Sequence, residues 1–507
     1  MKQDGEREMM PTGSSLFVSR RRLLQRASWA MAAAAFPFRT IVPVQDQEYN
    51  PALAKEPISP VMLKLSDYMS EAGKRELPDE VMEKTKHHIL DTFAAMISGS
   101  ELLAGRAAIR FARFYGGEKI STVIASNLLC GPIEAALTNA ELAHSDETDD
   151  SHAPSGSHPG SSVVPAAMAV GEKFHISGMH FMRAVTLGYD IGTRITMSLG
   201  PASFRNVKRD THSVVAVFGS AAAAACAASL NAQQMRWVLD YAAQQASGIT
   251  YLYRDTDHIE KGFVFAGMGA RSGATAALLV YSGWNGIDDM LSGRDNFIMA
   301  YAPQADPAGF IEKLGERYEV TRTNIKKWTV GSPIQAALDA MENVQKQHRF
   351  EPAQVKQVVV KLAGGKGSIV DNADMPDICL QYMIAVMMID KTASFHAAHD
   401  KARMKDPAIL RERAKVDLVS DDELGRRGRR EAIVEVTLTD GTRLSNHVNA
   451  VRGTAENPMP REEVVAKARD LITPILGNAK GAKLIDKVLA LENVKDIREL
   501  RPLLQLT

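Results

Sequence analysis

Cysteine is scarce in this chain of 507 residues, and its spacing argues against several kinds of metal site. Cys130, Cys226 and Cys379 lie far apart, and no two of them form a C-x-x-C pair. A zinc ribbon or an iron–sulfur cluster is therefore not expected. We expect the three cysteines to be buried apolar thiols. An excess of charge of one sign is missing too, since 60 Lys and Arg residues balance 60 Asp and Glu residues. We expect no nucleic-acid partner, because a broad basic surface is the usual mark of one.

The N-terminal region contains one apolar run, which is too short to span a bilayer. The run covers residues 27–38 and follows Ser19-Arg20-Arg21-Arg22-Leu23-Leu24-Gln25. The charged-then-apolar order is typical of an export signal, and the paired arginines favour the twin-arginine route. We predict a signal and leader over residues 1–45, a periplasmic location and no stable membrane anchor. A basic leader without an export role is the alternative.

Residues 59–319 are rich in Ala, Leu and Met at helical spacing and contain few runs typical of strands. Gly99 is placed to end one amphipathic helix, and Pro132 to begin another. Helices are predicted at residues 89–97, 133–143, 165–170, 181–195 and 214–230, the third of them beginning at Pro165. This stretch is predicted to form a large helical domain, and the hydrophobic content of 45% can supply its core.

Residues 320–452 differ in character, because runs typical of strands occur among them. Strands are predicted at residues 355–362, 432–438 and 442–448, and a helix at 382–389. Asp440-Gly441 is a hairpin turn between the last two strands. Helical patterns resume at 460–472 and 484–491, so residues 453–507 are expected to return to the helical domain. The predicted fold class is mainly α, with a large helical domain and a smaller α+β domain.

The connection between the second and third predicted helices is crowded with ionisable side chains. They are His144, Asp146, Glu147, Asp149, Asp150, His152 and His158. Carboxylates beside imidazoles can place a proton acceptor near neutral pH, which general acid–base catalysis needs. The flanking apolar helices would hold the connection against the core, with His152 in its more exposed part. A solvated acidic loop is the alternative that charge alone suggests.

The order of short motifs around this connection resembles the signature of the MmgE/PrpD family. Ala143-His144 is followed by an acidic cluster ending in Asp149-Asp150-Ser151, by His158-Pro159-Gly160 and by a helix. Further matching pieces lie at residues 77–99, 184–189 and 219–222, in the family's order. The family includes 2-methylcitrate dehydratase and cis-aconitate decarboxylase, and the resemblance covers nearly everything after Ser59.

The resemblance implies a homodimer in which each chain has a helical domain and an α+β lid, with the active site in the cleft between them. It implies a lyase without a cofactor that acts on a small polycarboxylate by removing a proton next to a carboxylate. Dehydration, decarboxylation and epimerisation all stay open, because they pass through related carbanion-like species. The negative charge that develops must be met by preorganised cations or hydrogen-bond donors.

The resemblance also implies a set of site residues. The catalytic set is His158, Lys326, Tyr382, His212, Glu147 and Ser151; the substrate-binding set is Lys261, Asp150 and, by its closeness to Lys261, His258. We expect His158 to be the principal acid/base and Lys326 to bind a carboxylate. The alternatives are that Lys326 is an exposed lysine beside Lys327, that His212 only begins a helix, and that Tyr382 is a core tyrosine.

Several positions depart from the family pattern. Glu147 stands where the family usually has Asp, Ser151 where it has Thr, and Gln335 where it has His. The spacing from Ser151 to His158 is one residue longer than usual, and Phe263-Val264 replaces Leu-His. The catalytic frame is therefore expected to be kept and the substrate contacts to be changed, so the substrate need not be methylcitrate or aconitate.

Two other functions remain open at this point. A metal-dependent hydrolase could use ligands from the charged connection, namely His144, Asp146, Asp150, His152 and His158. An exported solute-binding relative could have kept the cleft and lost turnover. Separately, the basic run at residues 426–430 is expected to be a solvated loop, or a patch at the lid edge that attracts anions.

Overall fold

The computed structural model describes residues 57–363, 367–426 and 430–506. The predicted leader, with Arg20 and Arg21, lies outside the described residues, and so do the three central residues of the basic run at 426–430. The predicted fold class is confirmed, since helices dominate the described chain and the longer strands are confined to one sheet.

Several helices begin at residues that satisfy the free N–H groups of a first turn. The Ser59 hydroxyl accepts a hydrogen bond from the Met62 N–H ahead of Pro60, and the Asp210 carboxylate caps the helix that follows it. The helices of the larger part are α1 (Pro60–Glu71), α2 (Asp79–Gly99), α3 (Leu103–Tyr115), α4 (Pro132–Ala143), α5 (Gly160–Phe174), α6 (Gly178–Leu199), α7 (Pro201–Asn206), α8 (Thr211–Ala227), α9 (Ala232–Gln245), α10 (Ile259–Gly262), α11 (Met268–Tyr281) and α12 (Phe297–Tyr301). A short antiparallel pair, β1 (Ser121–Thr122) and β2 (Leu129–Cys130), lies between α3 and α4.

The helix predicted to begin at Pro165 begins instead at Gly160, and Pro165 lies inside it. Pro159 already has helical backbone angles, φ −66° and ψ −37°, so the helical path starts five residues earlier than proline alone suggests. Pro165 lies in the second turn and removes one intrahelical hydrogen bond, because its nitrogen carries no hydrogen. As a result, His158 lies directly before the first turn of a buried helix.

Small side chains allow α8 to pass through the middle of the helical part, where it packs against α6 and α11. A Cβ atom at Gly219 would come within 2.8 Å of the Gly188 carbonyl oxygen on α6. Only glycine fits at such a distance. The alanines at 221–225 continue this surface, as their small volume predicts.

The smaller part contains a four-stranded sheet with strand order β4-β3-β5-β6. The strands are β3 (Val355–Ala363), β4 (Val416–Asp421), β5 (Ala432–Leu438) and β6 (Arg443–Val448). Strand β3 is parallel to β4 and antiparallel to β5, with Val360 opposite Leu418 and Val434. The helices of this part are α13 (Gln335–Gln347), α14 (Gly367–Val370), α15 (Leu380–Asp390), α16 (Phe395–His399), α17 (Pro407–Arg413) and α18 (Asp422–Arg426).

Two hydrophobic cores organise the described residues. The first lies among α1–α12 and the second between the sheet and its helices. The last helices are α19 (Arg461–Leu476), α20 (Asn478–Leu489) and α21 (Arg501–Leu504), and they contribute to the first core. The chain therefore crosses the seam between the cores twice, and the charged connection between α4 and α5 lies at this seam.

One helical stretch of the described residues, Ile259–Tyr281, is long and apolar enough to cross a membrane by length and composition. Its most apolar window is 67% buried within the protein, and core helices commonly pass the same test. We read it as a core helix that includes α10 and α11.

Candidate active site

The connection between α4 and α5 is buried, so the alternative of a solvated acidic loop is wrong. Asp149 and Asp150 have no exposed surface, and Glu147 is 6% exposed. Lys467 on α19 donates a hydrogen bond to the Thr148 carbonyl oxygen at 3.0 Å. A charge run at this depth persists only where partners satisfy each carboxylate.

His152 was expected in the more exposed part of the connection, and this prediction is wrong. Its side chain is fully buried, with Nδ1 2.8 Å from the Ser155 hydroxyl and Nε2 3.2 Å from Glu319 Oε2. A bridge between Ser151 and Asn324 turns this part of the connection inward. His152 thus holds the connection in place and lies away from the cluster described next.

Asp149 joins two imidazoles. Its Oδ2 lies 2.9 Å from His144 Nδ1, and its Oδ1 lies 3.0 Å from His158 Nδ1. An ionised carboxylate only accepts hydrogen bonds, so both histidines carry their proton on Nδ1. The Nε2 atom of His158 is therefore left as a proton acceptor.

Two lysines from distant parts of the chain meet at Glu147. Lys326 Nζ donates to the Glu147 carbonyl oxygen at 2.7 Å and lies 3.3 Å from its Oε2 and 3.5 Å from Asp149 Oδ1. Lys261 Nζ forms a short hydrogen bond with Glu147 Oε1. Lys326 is only 3% exposed, so it is not the surface lysine that its neighbour Lys327 suggested.

Two further predicted residues, His258 and His212, lie beside this cluster. His258 Nε2 is 3.3 Å from Lys261 Nζ and 3.5 Å from Glu147 Oε1. The His212 ring centroid is 5.2 Å from that of His158 and 3.6 Å from that of Phe265, against which it stacks. His212 is the second residue of α8, and its Nδ1 lies 3.2 Å from the capping carboxylate of Asp210. The imidazole of His212 is therefore fixed in position next to His158.

Ser151 contacts the α+β part of the protein. Its backbone pairs with Asn324 through hydrogen bonds of 2.9 and 2.8 Å, and its hydroxyl accepts one from Arg430 Nη1 at 3.2 Å. Lys326 follows Asn324 by two residues, so the same backbone bridge places Lys326 at the cluster. Ser151 is thus on the seam, at the edge of the same cluster.

Asp150 and Tyr382, although predicted as site residues, are not brought to the cluster. Asp150 accepts hydrogen bonds from His88 Nδ1 at 2.9 Å, from the Tyr189 hydroxyl at 2.5 Å and from the Gly160 N–H at 3.0 Å. Tyr382 lies in the second core, and its hydroxyl donates to the Ala397 carbonyl oxygen at 2.7 Å. Both side chains therefore stabilise the fold around the site.

Burial sets the protonation state of His158. Burial lowers the pKa of His158, the Asp149 carboxylate raises it, and the positive charge of Lys326 lowers it again, leaving it at about 4. The imidazole is therefore neutral at neutral pH. A neutral imidazole with a free Nε2 is the form that can accept a proton.

The two carboxylates of the cluster are ionised. Burial raises the pKa of Glu147, but Lys261 and Lys326 outweigh it and hold that pKa well below its usual range. Burial likewise raises the pKa of Asp149, and the two imidazoles and Lys326 hold it well below the usual range. Two ammonium groups thus face two carboxylates.

Four residues of the site were not assigned to it from the sequence. Asp149 was seen only as part of a charge run, and its position between two histidines of the same connection is the signal that could have identified it. Phe265 lies on a π-helical turn, Phe263–Gly267, that only the backbone reveals. His399 and Arg430 come from the α+β part, and no local pattern links them to the connection.

His399 joins the two cores through Asp146. Its Nε2 lies 2.9 Å from Asp146 Oδ2, and its Nδ1 donates to the Phe395 carbonyl oxygen at 2.7 Å. Burial lowers the pKa of His399, but the Asp146 and Asp377 carboxylates outweigh it and raise that pKa to about 9. His399 is therefore an imidazolium at neutral pH and forms an ion pair across the seam.

A cavity of about 480 Å³ adjoins this ion pair. It is lined from both parts of the protein, by Arg106, Asp146, His258, Asp377, His399 and Lys401 among others. His258 is shared with the lysine cluster. His258 thus connects the cavity to the cluster, since Lys261, Lys326 and His158 do not line the cavity themselves.

Within the part of the chain that the structure describes, His144, Asp149 and His158 could hold a metal ion, because their ligand atoms lie within 4.8 Å of one another. Of the ligand set expected for a hydrolase, only His144 and His158 are brought together. Asp146 pairs with His399, Asp150 with His88 and His152 with Glu319. The ammonium of Lys326, 3.5 Å from Asp149 Oδ1, would repel a cation here.

The arrangement suits proton transfer next to bound negative charge. His158 offers a neutral acceptor nitrogen, and Asp149 holds its ring in one orientation. Lys326 and Lys261 supply positive charge within hydrogen-bond reach of Glu147. Fixed cations of this kind stabilise a developing anion, because they need no reorganisation during the reaction.

Several known proteins are similar to this chain over most of its length. The chain is similar to the cis-aconitate decarboxylase of Aspergillus terreus (strain NIH 2624 / FGSC A1156), with 23% identity over 478 residues, 88% of this chain and 96% of the relative. It is also similar to the cis-aconitate decarboxylases of Homo sapiens (24% over 450 residues, 85% and 91%) and Mus musculus (23% over 457 residues, 85% and 90%).

The chain matches two domains of one protein family, one after the other along the sequence. Residues 63–309 match the MmgE/PrpD N-terminal domain, and residues 328–493 match the MmgE/PrpD C-terminal domain. The boundary between the matches falls close to Lys326, where the chain first crosses the seam. With both domains present over most of its length, the chain belongs to the MmgE/PrpD family.

Proposed function

We propose that this protein is a lyase that acts on a small polycarboxylate without a cofactor, by proton transfer at a carbon next to a carboxylate. The observation that carries the proposal is the neutral imidazole of His158, oriented by Asp149 and placed beside Lys326. The names of the relatives support a polycarboxylate, since cis-aconitate carries three carboxylates.

In the proposed reaction, His158 Nε2 takes a proton from the carbon next to a carboxylate. The electron pair of the C–H bond is delocalised into that carboxylate, whose added charge Lys326 and Lys261 would stabilise. His212 or the Ser151 hydroxyl would then deliver a proton to the leaving group or to the opposite carbon. If the substrate loses carbon dioxide, the C–C electron pair stays on carbon, and that carbon takes the proton.

The proposal is tested by incubating the purified protein with a panel of di- and tricarboxylates, beginning with cis-aconitate. Double-bond absorbance, carbon dioxide release and deuterium uptake from solvent distinguish dehydration, decarboxylation and epimerisation. Turnover that resists a chelator is expected. Activity lost to the chelator and restored by one stoichiometric metal would contradict the proposal and favour a metal-dependent hydrolase. Tight binding with no product or exchange would favour a solute-binding protein.

The proposal includes a periplasmic location and a homodimer. The order of charged and apolar residues before residue 45 supports export, and the resemblance to the family supports the dimer. Light scattering of the purified protein measures the dimer directly, and a mass of one chain would contradict it.

A further inference from the structure

The guanidinium of Arg430, at the seam, has no carboxylate partner among the described residues. Lys261 and Lys326 are paired with Glu147, and His399 is paired with Asp146. The guanidinium of Arg430 donates a hydrogen bond to the Ser151 hydroxyl at 3.2 Å. No ion pair within the described chain offsets this charge, so the guanidinium can attract an incoming anion in addition to the two lysines.

Arg430 is directed toward the cluster by the sheet. It precedes β5, whose first residue Ala432 lies between Leu362 on β3 and Val448 on β6. The side chain crosses the seam to Ser151, which is seven residues before His158 in the same connection. Burial lowers the pKa of the Arg430 guanidinium, and the negative charge of Glu147 opposes that shift, so both groups share one electrostatic environment.

The Arg430–Ser151 pair is suited to a carboxylate. Arginine has five N–H donors in a planar fork, and the contact with Ser151 uses one of them. The Ser151 oxygen accepts that hydrogen bond, so its own proton is available to donate. A carboxylate bound by two guanidinium N–H groups and one hydroxyl would have a charge-assisted, bidentate site.

We propose that Arg430, with the Ser151 hydroxyl, binds one carboxylate of the substrate. The inference rests on the proposed function for the identity of the ligand as a polycarboxylate. It adds a requirement: the molecule must carry a carboxylate for Arg430 in addition to the one that Lys326 and Lys261 stabilise. A monocarboxylate should therefore bind poorly.

The test measures binding, so it does not depend on turnover. The affinity of the full-length protein for propane-1,2,3-tricarboxylate, which has no double bond or hydroxyl to lose, is measured by titration calorimetry. Arg430→Ala should weaken binding on the order of 10- to 100-fold, because it removes charge-assisted hydrogen bonds. Arg430→Lys should weaken it less, since the charge stays and the fork is lost.

Arg443→Ala is the matched control, because Arg443 is an exposed arginine on β6 of the same sheet. It should bind like the wild type, and circular dichroism establishes that each variant is folded. Unchanged affinity in folded Arg430→Ala and Arg430→Lys proteins, or no binding by the wild type, would overturn the inference. If binding depends on Arg430 but no polycarboxylate is turned over, the inference stands and the proposed lyase activity fails. If turnover occurs and Arg430→Ala binds normally, only the inference fails.

Discussion

The Oδ1 atom of Asp149 lies 3.0 Å from Nδ1 of His158, and this contact determines which nitrogen of the imidazole can take up a proton. The same carboxylate holds His144 at 2.9 Å through its other oxygen. Because both oxygens are occupied by histidines, the carboxylate cannot rotate without losing a hydrogen bond. His158 is thus fixed in the orientation and tautomer that a general base needs.

His158→Ala should lower turnover by ~100- to 10,000-fold, the usual contribution of a general acid or base. The fold should persist, because the His158 side chain is 9% exposed and belongs to the charged connection, outside both hydrophobic cores. Turnover and the Michaelis constant are measured on the polycarboxylate that the panel identifies. His348→Ala, which removes an exposed histidine at the end of α13, is the control. Near-wild-type turnover in folded His158→Ala protein would remove His158 from the chemistry.

The substitution Asp149→Asn tests whether Asp149 orients the imidazole of His158. The amide can present its NH₂ group to Nδ1, which favours the wrong tautomer, so turnover should fall ~100-fold or more while the Michaelis constant changes little. In the wild type, turnover should rise with pH through about 4, where His158 loses its proton. The measurement is the pH profile of turnover for both proteins. A profile and rate like those of the wild type would show that Asp149 serves the fold alone.

The sequence predicts the helical framework well because helix signals are local. Pro132 and Gly99 bound their helices as predicted, and the Asp440-Gly441 turn joins β5 to β6. Strand β4 was missed, because Val416–Asp421 is short, lacks a regular apolar and polar alternation, and lies at the sheet edge. Such a strand forms because it pairs with a neighbouring strand in the folded protein, and its own local sequence does not predict it.

The site was predictable where its residues share one connection. Glu147, Ser151 and His158 are close in sequence, so their chemistry could be inferred together. Arg430 and Asp149 were not assigned to the site from the sequence. Arg430 contacts Ser151 in the connection from 279 positions away, so no local pattern relates the two. For Tyr382, the sequence predicts a helix, which lies at Leu380–Asp390, but it does not predict that the hydroxyl donates to the Ala397 carbonyl oxygen. A local sequence pattern predicts a helix or a strand, whereas the direction of each side chain depends on how that element packs in the folded protein.

Lys326→Met should reduce kcat/KM on the order of 100-fold, since it removes one partner of a buried, hydrogen-bonded charge cluster. We expect most of the loss in the Michaelis constant, with a slower turnover as well if the ammonium contacts charge that develops in the transition state. Lys327→Met is the matched control, because the adjacent lysine points to Glu342 at 2.6 Å. Equal effects of the two substitutions would contradict the assignment of Lys326.

Export should depend on the paired arginines Arg20 and Arg21. Cells that express the wild type or the Arg20→Lys, Arg21→Lys double variant are fractionated, and the protein is followed by immunoblot. The variant should remain in the cytoplasm, since lysines replace the signature of the route without changing its charge. Equal amounts of both proteins in the periplasm would show that the twin-arginine assignment is wrong.

The His399–Asp146 ion pair should make stability depend on pH in one direction. The pKa of His399 is raised from 6.5 to about 9 in the folded protein, so folding favours the protonated form. Its contribution is fully present below pH 6.5 and is lost as pH rises through about 9. At 1.36 kcal/mol per pH unit the shift corresponds to at most about 3 kcal/mol. The free energy of unfolding is measured by denaturant titration at several pH values, for the wild type and for His399→Gln.

The wild type should exceed His399→Gln most at pH 6 and least above pH 9, because only the imidazolium attracts Asp146. His396→Gln is the matched control, since His396 is an exposed histidine on the same helix, α16. It should show no such trend with pH. A gap between the wild type and His399→Gln that stays constant from pH 6 to pH 10 would mean that His399 contributes packing and a neutral hydrogen bond. The seam between the two cores would then be held by contacts that do not titrate.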